Sequence, residues 1–160
     1  MCLHSIGYIL LGTPSRRAVY NSTAFLVIQK TMIENEEYKA IAERLIETLP
    51  EFIDIAEADV RIAYLSSEKE KKTAHKHTLG ECHKVEQLYQ WIVPYDFMII
   101  LYEPNIAGFT EDQIETLIRH ELHHVGIEYA DTGLKYYIVP HDIEEFWNII
   151  NDKGIDWSDM

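Results

Sequence analysis

The sequence predicts an α+β domain. Three observations carry that reading. Helix-type apolar stripes lie towards both ends of the chain, two or three apolar runs of strand length lie between them, and no regular strand–helix alternation suggests a parallel βα sheet. The chain has 160 residues, 47% of them apolar and 11% aromatic, which suffices for one buried core and argues against disorder.

Residues 1–31 carry Arg16, Arg17 and Lys30 and no acidic side chain, although the whole chain has a net charge of −13. This break sets an expected boundary just before Met32, with an extension over 1–31 and one domain over 32–160. The start "MCLHSIGYILLG" lacks the basic segment of a targeting peptide. The extension therefore reads as the product of an upstream start codon, with an extra strand in "AFLVIQ" as the alternative. A first helix is expected from about Glu34 to Leu49, with Ile41, Leu45, Ile46 and Leu49 as its apolar stripe and Pro50 as its stop. "DVRIAYLS", residues 59–66, reads as a strand. "SEKEKKTAHKHTLGE" reads as a loop or hairpin tip whose His75 and His77 are solvated among lysines. "KVEQLYQWIV" alternates in part and is expected as a strand, broken by Pro94. "YDFMIILY", residues 95–102, is the most apolar run and reads as a central buried strand.

Composition also narrows function. A strongly acidic surface repels phosphate backbones, so direct nucleic-acid binding is not expected. No apolar run approaches the roughly 18 residues of a membrane helix. Cys2 and Cys82 cannot make a disulfide framework, so a reducing cytoplasm is expected, with Cys82 as a small buried residue.

The chemistry lies in "TEDQIETLIRHELHHVGIEY". Thr110 and Gln113 form a capping-box pattern that starts a helix at Glu111. With His120 at 0° and about 100° per residue, Ile114, Leu117, Ile118 and Val125 fall on one apolar face, and Glu121 falls at about 100°, inside it. An ionised carboxylate there costs several kcal/mol unless a cation compensates it. His120 and His124 flank it at i and i+4, the spacing at which two imidazoles on one helix reach a single metal ion. His120-Glu121-Leu122-His123-His124 is thus a helix-borne His-Glu-x-x-His pattern, with His123 lining the site or exposed.

A catalytic Zn²⁺ takes about three protein ligands and a water. The downstream candidates are His141, Asp142, Glu144 and Glu145 in "PHDIEEFWNII", which starts a second, C-terminal helix with Ile143, Phe146, Trp147 and Ile150 on its apolar face. Asp142 and Glu145 stand three apart, as a cap and its partner do, which leaves His141 just outside the helix and free to turn to the metal. Imidazole also suits zinc, so His141 is favoured as third ligand, with Glu144 as its rival.

"RIAYLSSEKEKK", "GECHKVEQLYQW", "PYDFMIILYEPN", "HELHHVG" and "PHDIEEF" occur in the order found in the metallopeptidase domain of phages and bacterial mobile elements, and residues of about 60 to 150 resemble that family. The resemblance implies a small zincin-like fold: a mixed sheet of about 3–4 strands packed on the motif helix, with a second helix bringing the last ligand. It also implies His120, His124 and His141 as zinc ligands, Glu121 as general base, and a protein or peptide substrate. Glu144 follows His124 by 20 residues, a spacing similar to that of thermolysin-like zincins. A looser similarity extends to SprT-like proteases, although the chain lacks their basic DNA-binding equipment. An edge strand, "RIAYL" or part of "YDFMIILY", would align the peptide. Tyr136, Tyr137 and His83 are candidate oxyanion donors. Two other readings compete: a zinc-binding structural or regulatory protein with a closed fourth coordination position, and a zinc hydrolase of a non-peptide bond.

Overall fold

The computed structural model describes residues 32–131, 133–142, 150–152 and 154. The strands are β1 (Met32–Glu34), β2 (Ile62–Ser67), β3 (Gly80–Lys84), β4 (Phe97–Tyr102), β5 (Val125–Ala130) and β6 (Gly133–Ile138). The α-helices are α1 (Glu36–Thr48), α2 (Ile53–Glu57), α3 (Glu103–Ile106) and α4 (Glu111–His123). The fold class is α+β, as the sequence predicts. A four-stranded mixed sheet runs β1-β2-β4-β3, and β5 and β6 form a separate antiparallel hairpin. β2 and β4 are parallel, and the outer pairings are antiparallel.

Asn35 starts α1 by accepting from the backbone N–H groups of Glu37 and Tyr38. The helix buries Tyr38, Ala42 and Leu45, while Ile41, Ile46 and Leu49 pack at the margin of the core. β2 contributes Ile62 and Tyr64, β4 contributes Phe97, Ile99 and Leu101, and α4 contributes Leu117, Ile118 and Leu122 to the same core. The period of two along β4 meets the helical period along α4, so the motif helix lies against the sheet with its orientation fixed by packing. The capping box at Thr110 and Gln113 fixes where α4 begins. Arg44 of α1 grips Glu115 at 2.8 Å, and Arg119 donates to Glu51 at 2.8 Å, so both neighbours of α4 hold its outer face.

Three expectations are corrected. "KVEQLYQWIV" is not a strand: the strand is the preceding "GECHK", and residues 87–89 form a 3₁₀ turn with Leu88, Trp91 and Ile92 exposed. The partial alternation there reflects no buried face, whereas β3 carries few apolar residues because it is an edge strand. Val125 is not on the motif helix but opens β5, since α4 ends at His123. "RIAYL" and "YDFMIILY" supply β2 and β4, both interior, so neither can accept a peptide by strand addition. The expected hairpin tip is present, closed by a bridge between Lys72 and His77. Residues 150–152 are helical, while the expected extension over 1–31 and the start of the second helix over 143–149, including Glu144 and Glu145, lie outside the described residues. No helix among the described residues is long and apolar enough to cross a membrane.

Ile118 and Leu122 are fully buried on the inner face of α4. Leu122→Ala is expected to cost about 2–5 kcal/mol of stability through the cavity it leaves, measured by urea denaturation of the metal-free protein.

Candidate metal and active site

α4 presents Gln113, Thr116, Leu117, His120 and Glu121, and its C-cap His124, to one cavity of about 800 Å³. Across it stand residues of β3 and of the segment before it, and Ile138 and His141 close one end. His120, His124 and His141 each offer a ring nitrogen, and these atoms lie within 4.8 Å of one another. The Nε2 atoms of His120 and His141 are 3.0 Å apart. The three ring centroids stand 4.6–5.1 Å from one another.

Local structure explains how each ring arrives. His120 is in the last turn of α4, and His124 is its C-cap, still near helical geometry at φ −76° and ψ −10°. The chain then runs out along β5 and returns along β6, so the hairpin carries His141 back to the end of the helix it left. That return also brings the Val139 carbonyl to His124, whose Nδ1–H donates to it at 2.6 Å. The bond fixes the tautomer and leaves Nε2 with a lone pair for a metal. His123 points elsewhere: its Nε2 lies 3.3 Å from Glu51, and its ring packs on Phe52. This separates the two neighbouring histidines that sequence spacing alone leaves in competition.

Glu121 is 3% exposed. Burial, and then the nearby charge of Glu81, push its carboxyl up to about 7. Its carboxylate lies over Gly80, the first residue of β3. A Cβ at that position would stand 2.7 Å from Glu121 Oε1 and 2.8 Å from Leu101 Cδ2. Glycine is thus required here by the close approach of a side chain. The imidazole of His120, an exposed residue on the cavity wall, is pushed below its ordinary value by partial burial and by the neighbouring histidines, which favours the neutral, metal-binding form.

The donor set fits a dication of the zinc type. Three imidazoles suit zinc, one of them is oriented by a backbone carbonyl, and a desolvated carboxylate in the same cavity lacks a cationic neighbour among the described residues. Among the described residues the group contains no fourth donor.

Of the expected oxyanion donors, only His83 lines the cavity, where its Nε2 lies 3.2 Å from Glu81. Tyr136 packs edge-on against Phe97, and the Tyr137 ring lies over Gly126, facing a separate small cavity. Cys82 is part of the cavity wall, and burial pushes its thiol up to about 12, so it is an inert wall residue. Asp142 is exposed. The contributions of Gly80 and of the Val139 carbonyl were not anticipated. A glycine heading a strand was the available signal for the first, and nothing local marks the second.

Fold and site together define a small α+β protein with a helix-borne His-Glu-x-x-His motif and a third histidine folded back onto it. A family model described as "Putative phage metallopeptidase" matches residues 30–160, and the chain belongs to that family. No curated protein matches the chain. No solved structure matches it either.

Two outcomes follow from the Glu121 environment. In the metal-free protein its folded pKa is raised, so the unfolded carboxyl ionises first as pH rises and the folded state loses stability between about pH 4.5 and 7. Glu121→Gln is expected to gain on the parent by about 2–3 kcal/mol across that window and to hold the gain above it, measured by denaturation over a pH series. Gly80→Ala is expected to cost about 1–3 kcal/mol by forcing Glu121 and Leu101 apart, measured in the same way.

Proposed function

We propose that the protein is a zinc-dependent peptidase, with His120, His124 and His141 as the metal ligands and Glu121 as the general base. The observation that carries this reading is the meeting of three imidazoles from two separated segments beside one buried carboxylate, on the wall of a cavity roomy enough for a substrate. Membership of a metallopeptidase family supports it.

A Zn²⁺ ion held by such a set supplies Lewis acidity, which lowers the pKa of water and polarises a carbonyl oxygen. The chain supplies the rest. Glu121, with its carboxyl near neutrality, accepts a proton from the attacking water and returns it to the leaving amine. Its position is held by Gly80 below and by the buried face of α4 on either side. The Val139 carbonyl keeps His124 in one tautomer. β3 is the sheet edge that borders the cavity, and no described strand pairs with its outer side, so it is the strand on which an extended peptide would align. His83, on that strand, lines the same cavity with its Nε2 engaged by Glu81.

Among the described residues the group offers three donors, the number that leaves a coordination position for water in a catalytic zinc site. The net charge of −13 argues for a protein or peptide substrate over a nucleic acid, and with no disulfide framework in the sequence we assign the activity to the cytoplasm.

Glu121→Gln is expected to retain about one zinc per chain and to lose at least about 100-fold in peptide hydrolysis, measured by metal analysis and a quenched-peptide assay. His120→Ala and His124→Ala are expected to lose the metal as well as the activity. Retained turnover in the Glu121→Gln variant would contradict the role assigned to the carboxylate.

A further inference from the structure

The cavity is strongly asymmetric about the histidines. Five residues of α4 and its C-cap His124 line it, from Gln113 to His124, a stripe of about 16 Å along the helix. The histidines occupy one end, and most of the stripe leads away towards the start of the helix. There the opposite wall is not β3 itself but the residues leading into it. Asn105 of α3 donates to the carbonyls of Thr78 and Lys71 at 2.6 and 2.8 Å and ties this arm to α3. Leu79 and Phe109 stand in that part of the cavity with Leu117, partly buried against the core and forming its apolar lining.

Charge is distributed just as unevenly. Lys76, from the arm, lines the same cavity. The other lysines of the arm that meet an acid are neutralised: Lys71 by Glu81 and Lys72 by Glu70. Lys76 forms no ion pair among the described residues. On a chain of net charge −13, an unpaired ammonium at a cavity mouth is an attractive point for an anion that the rest of the surface repels. Glu81, an acid on the same cavity wall, is occupied by Lys71, by the Tyr102 hydroxyl and by His83.

We infer that the arm of the cavity leading from the histidines to the start of α4 is a specificity subsite. It takes a large apolar side chain against Leu79, Phe109 and Leu117, and a carboxylate further along the same peptide at Lys76. The inference rests on the peptidase reading for its meaning in turnover, but not for its binding chemistry. The carboxylate is either an acidic side chain or the free C-terminus of the peptide.

The test has a binding arm and a cleavage arm, both on the full chain loaded with zinc. In the first, the Glu121→Gln variant is titrated with fluorescent peptides carrying Leu or Phe followed by Asp, by Lys, by an amidated end, or by a free C-terminus. Peptides with the carboxylate are expected to bind about fivefold or more tightly than their Lys or amide counterparts, and Lys76→Glu is expected to reverse the order without changing zinc content. The Asp and free-end peptides separate the two sources of carboxylate. In the second, products from a peptide library cut by the parent protein are sequenced. A bulky apolar residue beside the cut, with acid further out on the same side, is expected, and Phe109→Ala is expected to shift the preference to larger side chains. Equal affinity for acidic and basic peptides, or a Lys76→Glu variant with unchanged order, would overturn the subsite. Selective binding without any cleavage by the parent would leave the subsite standing and remove the peptidase reading instead.

Discussion

A carboxylate set into the apolar face of a helix is the constraint on which the rest of this structure depends. Glu121 occupies a position that Leu117, Ile118 and Leu122 surround with core packing, and it is almost wholly removed from water. Such a group is stable only if it is protonated or if a positive charge lies beside it. The surrounding architecture supports the second solution. Two imidazoles flank it on the same helix, a third is folded back by the β5–β6 hairpin, and the strand below begins with a glycine so that the carboxylate has room. The core packing of α4 and the ion pairs from Arg44 and Arg119 then hold that face in one orientation.

The placement of this helix beside a sheet edge joins fold to function. β2 and β4 form the parallel interior of the sheet, and β3 is added antiparallel at its border. Gly80 faces the motif helix from that border, and among the described residues no strand pairs with the outer side of β3. A peptide aligned there would pass the histidines and continue along the stripe of α4 towards Leu79, Phe109 and Lys76. Stability and recognition thus share one helix, with Leu117 belonging both to the core and to the cavity wall.

Much of this was legible in the sequence, and the reasons are specific. The capping box at Thr110, the stripe of α4 and the misplaced Glu121 are all local signals, so the motif helix and its two ligands could be read directly. His141, favoured by capping logic at Asp142, does join the other two histidines, although the helix that Asp142 would cap lies outside the described residues. What the sequence did not yield was topology. Whether a strand is interior or an edge depends on its partners, so β2 and β4 were offered as docking strands while β3 was overlooked. The hairpin was missed for a different reason. Val125, Ile127 and Tyr129 alternate as a strand does, and Asp131 precedes a glycine at φ +120°, but the apolar period of the helix was extended through Val125 and concealed the change of period. The motif pattern selects His124 over His123, and Glu51, remote in sequence, supplies the physical reason by holding the His123 ring away.

The central claim is that one metal ion sits among His120, His124 and His141 beside Glu121. Zinc K-edge X-ray absorption on the zinc-replete protein tests it most directly. The account predicts about one zinc per chain in a first shell of nitrogen and oxygen only, at about 2.0–2.1 Å, with the multiple-scattering pattern of three imidazoles. A sulfur shell at about 2.3 Å, fewer imidazoles than three, or no stoichiometric zinc would contradict it.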